Sequence, residues 1–550
     1  MKCGVLLKRR CLVMAIGSLL ISAGAHAQST TSSIFGRVPV QPGETVVIRN
    51  STGLTHTVNV DSEGRYNAPQ LPIGTYSVSL MRDGKVVQTR DSVVLQVGVG
   101  AEISFSAVAA EAETANTREL SAVNVTANKL PPIDVSSVDS RTVLTAEQLA
   151  KLPLGQTAES IALLAPGTNV GAGGATSTTG VPLVSFGGSS TTENAYYLNG
   201  FNTTDPNLAE GGLALPYGSI DQEEVYTGGY SAQYGRSDGG VINMIGKSGT
   251  NDWHFGGQFL YEPSSMVASA NNTYYENGLP PSPVAGNLYD PRSRNSTWSS
   301  VYDLYVGGPI IKDKLFFFAS GEMTHTDGNT VNSVEAGTDT HYKDTVPKWY
   351  AKVNWNITDS NLLELTGASD KSLTSGTVYN YDYNNLSDTS LKAYANDTKQ
   401  GGDLWQAKFT SYITDKLTLT AQYGRMKTRD YNENPAYDAS EPYIGNYTLE
   451  NPALNGGTPI TNSQTVQEIN NPGQNFVSTN LRIALTYTLG DHTITAGMDN
   501  LRTAATDQDE LTSGPDGYQW IYAYTQTPTD RKSTRLNSSH SDLSRMPSSA

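Results

Sequence analysis

Trp349-Tyr350-Ala351-Lys352-Val353-Asn354-Trp355-Asn356-Ile357 decides the fold. Successive side chains of a β-strand point to opposite faces. Trp349, Ala351, Val353, Trp355 and Ile357 therefore share one face, and Tyr350, Lys352, Asn354 and Asn356 share the other. The pattern recurs. Trp405, Ala407, Phe409 and Ile413 oppose Gln406, Lys408 and Thr410, while Leu481, Ile483, Leu485 and Tyr487 oppose Arg482, Ala484 and Thr486. A polar face on every strand does not suit a sandwich core. It suits a wall with lipid outside and water or protein inside. Trp and Tyr at the strand ends suit the girdle at a membrane interface.

Working outward from that stretch, strands are expected near 253–262, 299–310, 313–323, 346–357, 361–369, 401–413, 417–427, 479–489 and 492–501. Lys312, Thr358 to Ser360, Thr414 to Lys416 and Gly490-Asp491 read as tight turns. Residues 263–298, 324–345, 370–400 and 428–478 read as long polar loops. Short turns alternating with long loops are the mark of an up-and-down outer-membrane barrel. The composition agrees. Charged residues are 16% and hydrophobic residues 37%, with 52 Gly and 30 Tyr, a mix that favours strands, turns and polar loops over long helices. A net charge of −16 argues against nucleic acid as a partner, which needs a basic footprint.

The first residues read as an export signal. Lys2, Lys8, Arg9 and Arg10 form a basic start, Cys11 to Ile21 a short apolar run, and Ala25-His26-Ala27 a cleavage site. Residues 1–27 are thus expected to be removed, leaving Gln28 first. Cys3 and Cys11 would leave with them, so neither disulfides nor Cys-metal sites are expected.

Residues 33–108 alternate like a small β-sandwich, with turns at Asn50 to Gly53, Asp61 to Gly64 and Arg82 to Gly84. Asp61-Ser62-Glu63-Gly64-Arg65-Tyr66 and Leu71-Pro72-Ile73-Gly74-Thr75-Tyr76 resemble the carboxypeptidase regulatory-like module, an accessory domain and not a peptidase. Its lone His56 is expected to be a surface strand residue. Residues 109–127 read as an Ala/Glu/Thr-rich linker ending in a β-prone segment, Leu120 to Ala127. Such a segment can add a strand to a partner's sheet. Within it Val123, Asn124, Val125 and Thr126 resemble the TonB box, which recruits the energy-transducing partner.

Residues 128–250 carry several motifs in succession. Thr145-Ala146-Glu147 opens a helix with a capping signal. Leu149, Leu152, Ile161 and Leu163-Leu164 follow at helical spacing, and Pro166-Gly167 ends it. Val184 to Gly188 and Ala195-Tyr196-Tyr197-Leu198-Asn199-Gly200 read as two strands around a turn. Ile220 to Val225 leads to Tyr230 to Gly235, and Gly239 to Ile245 closes the series, which in this order resembles the plug of TonB-dependent receptors. No GK[ST] follows Gly239-Gly240, so a phosphate loop is rejected. Glu223-Glu224 is expected to lie solvated in a plug turn.

Val306-Gly307-Gly308-Pro309-Ile310-Ile311-Lys312-Asp313-Lys314-Leu315-Phe316-Phe317-Phe318 resembles the Oar-like TonB-dependent transporters. The fold class expected is mainly β: an N-terminal β-sandwich, an α+β plug, then an incomplete antiparallel transmembrane β-barrel over 251–529. The resemblance implies about 22 strands around a plugged lumen. Nine are legible, and an unpaired edge would expose backbone groups to lipid. Residues 530–550, DRKSTRLNSSHSDLSRMPSSA, lack a strand pattern and resemble a translated sequencing adapter. The chain is therefore read as a fragment with a non-native tail, unable to form a membrane-competent barrel alone.

The resemblance implies a receptor in the outer membrane of a Gram-negative bacterium. It would take up a scarce extracellular ligand with energy delivered by TonB and its inner-membrane complex. No cofactor, catalytic set or metal site is expected. The seven histidines show no His-x-x-x-His spacing, and there is no G-x-S-x-G elbow. Tyr379, Tyr381 and Tyr383, in a Tyr/Asn-rich loop, are the candidate ligand contacts, since Tyr offers broad contact at low entropic cost. The alternative function is a surface adhesin or secretion-linked receptor without uptake. A secreted hydrolase would lack any catalytic residues.

Overall fold

The computed structural model describes residues 31–105, 139–522 and 537–538, apart from 42, 153–156, 178–180, 212, 277–282, 450–455, 458–460, 490–491 and 516. The export signal, the linker, Val123 to Thr126, the Gly490-Asp491 turn and most of 530–550 lie outside the described residues. No described helix is long and apolar enough to cross a membrane.

The N-terminal sandwich has strands β1 (Thr31–Arg37), β2 (Glu44–Asn50), β3 (Thr55–Asn59), β4 (Arg65–Pro72), β5 (Gly74–Arg82), β6 (Lys85–Leu95) and β7 (Ala101–Glu102). They form two sheets, β4-β1-β7 and β3-β2-β5-β6. Alternate side chains of both sheets, among them Ile34, Val46, Ile48, Val58, Tyr66, Val78 and Leu80, meet in one core.

The plug contains β8 (Ser140–Thr145), α1 (Ala146–Leu149), α2 (Ala158–Ala162), β9 (Thr168–Val170), β10 (Val184–Phe186), β11 (Ala195–Leu198), β12 (Phe201–Asn202), β13 (Ile220–Gly228) and β14 (Val241–Gly246). Its main sheet runs β12-β11-β14-β13-β8. The capping signal at Thr145 is real, with a reciprocal bond to Gln148. The single helix expected behind it is instead two short ones. Pro153 falls between them and cannot supply a helical N–H, and Thr157 caps the second afresh.

The wall strands are β15 (His254–Glu262), β16 (Ser296–Ile311), β17 (Leu315–Val331), β18 (Thr338–Thr358), β19 (Asn361–Ser369), β20 (Ser372–Asp382), β21 (Ser387–Tyr394), β22 (Asp397–Gln400), β23 (Gly402–Tyr412), β24 (Leu417–Thr428), β25 (Tyr431–Glu433), β26 (Asn475–Leu489) and β27 (His492–Thr506). Nine form one antiparallel path, β15-β16-β17-β18-β19-β23-β24-β26-β27. Among the described residues, β15 and β27 are not paired with each other, so the sheet is open. The expected alternation holds. Trp349, Trp355, Leu365, Trp405, Ile413, Leu485 and Tyr487 are exposed on the convex face, while Tyr350, Lys352, Asn356, Gln406, Thr410, Gln422 and Thr486 are buried on the other.

Two expected loops are largely sheet. Residues 324–345 mostly continue β17 and β18, which pair in unbroken register from Leu315↔Trp355 to Val331↔Asp339. Residues 370–400 form β20, β21 and β22, with β20 pairing to the outer part of β18. These extensions are rich in Thr, Tyr and Asn. Thr and Tyr are β-prone, and such strands need no apolar face once they have left the lipid. Two-residue strands also occur at Trp520–Ile521 and Asn537–Ser538, and they pair with each other.

Candidate functional site: the plug seated in its wall

The plug turn Asn199-Gly200 projects at the wall. Asn199 and Gly200 both have positive φ, 50° and 83°, a conformation that Asn and Gly tolerate best. The Asn199 amide donates to the Tyr350 hydroxyl at 3.3 Å and to Thr366 Oγ1 at 3.4 Å. The wall answers with donors of its own. Gln406 Nε2 donates to the Leu198 carbonyl and Gln422 Nε2 to the Asn199 carbonyl, each at 3.1 Å. Arg482 donates to the Gln233 carbonyl at 2.9 Å. Phe201, beside the turn, is fully buried in a cluster with Met426 and Leu404 of the wall.

A second seat uses wall carboxylates as acceptors. The backbone N–H groups of Ala214, Tyr217 and Gly218 donate to Asp370, Glu322 and Asp303 at 2.7, 2.9 and 3.0 Å. A Cβ at Gly218 would lie 2.3 Å from Asp303 Oδ2, so a larger residue there would push the carboxylate off its N–H. Lys348 Nζ balances Glu322 at 2.8 Å. Lower in the wall, Glu364 sits between Lys352 at 2.9 Å and Lys408 at 3.8 Å.

The plug's own acids differ from expectation. Glu223 and Glu224 lie on β13 and not in a turn, and both are fully buried. β13 is an interior strand of the plug sheet, and the two side chains point to opposite faces, Glu223 within electrostatic reach of Glu159 on α2 and Glu224 against Asn243 and Tyr226. Glu224 accepts from Tyr226 at 3.0 Å and from Asn243 at 2.7 Å. Burial raises its pKa to about 7, against those bonds and Arg141. Neither oxygen of Glu223 has a partner. Burial, then the charge of Glu159, pushes it well above the ordinary value.

His56 is likewise buried and not on the surface, because the sandwich docks on the inner turns of the wall. Its ring lies 4.6 Å from that of Tyr412, and burial lowers its pKa to about 4 against the nearby Asp415. The Tyr412 hydroxyl donates to the Gln70 carbonyl at 2.8 Å. Asn356 and Asn251 donate to the Thr52 and Ser51 carbonyls at 2.9 and 2.7 Å. The sandwich also touches the plug, where the Val97 N–H donates to Gln222 at 2.9 Å.

On the opposite side, a cavity of about 300 Å³ opens between the plug and the outer wall ends. Glu159, Asp205 and Glu210 of the plug face Asp370, Lys348 and Arg429 of the wall across it. Burial raises the pKa of Glu159, and burial with the neighbouring acids raises that of Glu210. The three candidate tyrosines do not line this cavity. Tyr379 and Tyr381 are on β20, not in a loop, and Tyr383 follows in the turn. The rings of Tyr381 and Tyr383 are 5.0 Å apart, and the Tyr383 hydroxyl donates to the Asn332 and Ser333 carbonyls. Tyr379 pairs with Asp339, an even number of residues from Trp349, so it continues the convex face of the wall. Sequence reasoning missed the wall side of the seat. Gln406 and Arg482 read only as a polar face and Gln422 is not singled out, and the plug backbone they grip is some two hundred residues or more earlier.

Comparison with known proteins adds the following. Residues 134–242 match the TonB-dependent receptor plug domain, and residues 36–108 match the carboxypeptidase regulatory-like domain. The chain is similar to the TonB-dependent transporter Oar of Myxococcus xanthus, at 27% identity over 321 residues, covering 56% of this chain and 28% of that protein. Among solved structures it is similar to the outer membrane transporter YddB of Escherichia coli, at 16% identity and a TM-score of 0.47, covering 66% of this chain and 48% of that one. The ferric enterobactin receptor PfeA of Pseudomonas aeruginosa gives 14% identity and a TM-score of 0.42, covering 66% and 49%. The chain thus spans about half the length of these solved relatives, and 28% of the curated one.

Proposed function

The chain is a TonB-dependent receptor of the Gram-negative outer membrane with an N-terminal carboxypeptidase regulatory-like domain, and from that premise we propose that it serves energy-coupled uptake of a scarce extracellular ligand. The ligand settles on the outer side of the plug, over the cavity bounded by Glu159, Glu210, Asp370 and Arg429. TonB takes Val123, Asn124, Val125 and Thr126 as an added strand and pulls the plug from its seat. No bond of the ligand is broken.

The observation that carries this reading is the seat itself. Wall side chains hold plug backbone groups through single hydrogen bonds. Each contributes on the order of 1 kcal/mol net, up to about 3 kcal/mol where a carboxylate accepts. Water can replace each in turn, so the seat can be undone stepwise and remade.

The test is Val125→Pro in a full-length receptor. Proline removes the N–H that an added strand requires. Energised uptake is expected to fall at least a hundredfold while ligand binding to the cell surface is unchanged. Unchanged uptake would refute the reading, and binding with no uptake in either protein would favour an adhesin. The Tyr379, Tyr381 and Tyr383 group is proposed as an outer ligand-contacting surface. Replacing all three with Ala should weaken surface binding about tenfold or more, measured with whole cells at low temperature. Identical binding would remove these residues from the ligand's path.

A further inference from the structure

Beyond the lipid-facing band, the outer end of β18 brings together a cluster the uptake reading does not use. Asp339 and His341 are two residues apart on one face of β18. Asp388 stands on β21, and the pairing of β18 to β20 and of β20 to β21 carries it to the same place. His341 Nε2 lies 2.9 Å from an Asp388 oxygen and 3.5 Å from an Asp339 oxygen. One ligand atom from each residue falls within 4.8 Å of the others.

We propose that Asp339, His341 and Asp388 bind one divalent transition-metal ion of the zinc type, which pins the β20–β21 hairpin to β18. Two observations point to a cation. His341 Nε2 is shut off from solvent and has no partner of hydrogen-bond geometry, although two carboxylate oxygens face it. Asp339 is 3% exposed, and its Oδ1 is buried with no partner. A proton on Nε2 can face only one of the two carboxylates, whereas a cation seated between them meets the imidazole and both carboxylates at once.

The spacing suits a metal. Ligand atoms at about 2.0–2.2 Å from a tetrahedral zinc stand roughly 3.3–3.6 Å apart; the 3.5 Å pair fits as it stands, and the 2.9 Å pair opens by a few tenths of an ångström to admit the ion. One imidazole with two carboxylates fits zinc and its first-row neighbours, whereas calcium and magnesium take all-oxygen sets. An outer group fixes the first ligand, as metal sites require: Asn329 Nδ2 donates to Asp339 Oδ2 at 2.8 Å. The Tyr379 ring lies 5.0 Å from the imidazole and limits its rotation. Three protein ligands leave one coordination position for water.

The site stands clear of lipid. His341 is eight residues beyond Trp349, about 26 Å along an extended strand, against an apolar band about 25 Å tall. The convex positions between them are Pro347, Thr345 and Lys343, which lack the bulky apolar character of Trp349 to Ile357.

The test is calorimetric titration of Zn²⁺ into the full chain in detergent, with Co²⁺ absorption as a second probe. One equivalent is expected to bind, and His341→Asn and Asp388→Asn should each weaken it at least tenfold. Zinc should also raise the melting temperature of the parent protein, an effect reversed by a chelator and absent in both variants. This second measurement separates loss of the site from loss of the fold. A parent protein that binds no zinc, or variants that bind and melt as it does, would overturn the proposal. Neither outcome bears on uptake, which rests on the plug and its seat.

Discussion

Glu223→Gln is expected to stabilise the plug at pH 7, and more so there than at pH 5. Glu223 is fully buried with no partner for either oxygen. Burial and Glu159 hold its folded pKa well above 4.5. Between pH 4.5 and the folded pKa, the folded plug therefore retains a proton that the unfolded chain releases. Stability falls as pH rises across that window. Gln has nearly the same shape and never ionises, so it removes this cost. The gain should vanish near pH 4.5 and grow with pH. Glu224, whose folded pKa is about 7, adds a loss of the same sign that levels off above that pH. Calorimetric melting of parent and variant at pH 5 and pH 7.5 tests this. Equal differences at the two values would show that Glu223 is not protonated in the fold.

Glu364→Ala is expected to do the opposite, and at any pH near neutrality. Glu364 directly opposes Lys408 on β23 and reaches Lys352 on β18, and all three side chains are at least 85% shielded from solvent. Asn354 Nδ2 also donates to it at 3.3 Å. Removing this anion takes from both Lys352 and Lys408 the carboxylate that bridges them, with Asp221 acting on Lys352 only through space. Breaking a buried pair in this way costs roughly 3–5 kcal/mol. The variant should unfold at markedly lower denaturant in detergent-solubilised protein. Adding Lys408→Met to Glu364→Ala should recover part of the loss, because it removes one stranded charge. A double variant no better than the single one would mean that the stranded charge is not the cause.

The wall was legible because its signal repeats. Trp349 to Ile357, Trp405 to Ile413 and Leu481 to Tyr487 each state the same in-and-out alternation, and lipid admits no other arrangement of such strands. The plug motifs were legible as turns and strands, since Asn199-Gly200 needs its positive φ whatever surrounds it. What failed did so where the cause lies far along the chain. His56 is buried only because Tyr412 of the wall covers it. Glu223 and Glu224 are buried because both faces of the plug sheet are covered at β13 by parts of the domain distant in sequence, such as Glu159 on α2 and Asn243 on β14, and a pair of acids gives no hint of that. Asp339, His341 and Asp388 show no ligand spacing, because only strand pairing closes the gap. The outer extensions read as loops because, above the bilayer, sheet no longer needs an apolar face.

The docking of the sandwich on both plug and wall bears on how traction would enter the molecule. Under the proposed coupling through residues 123–126, the chain re-enters the plug at Asp139, immediately before β8. The load falls on β8, the edge strand of the plug sheet, while the sandwich still holds Gln222 on the neighbouring strand. The sandwich then acts as a brace, so peeling begins at one edge of the plug and the rest of the domain is not dragged out whole.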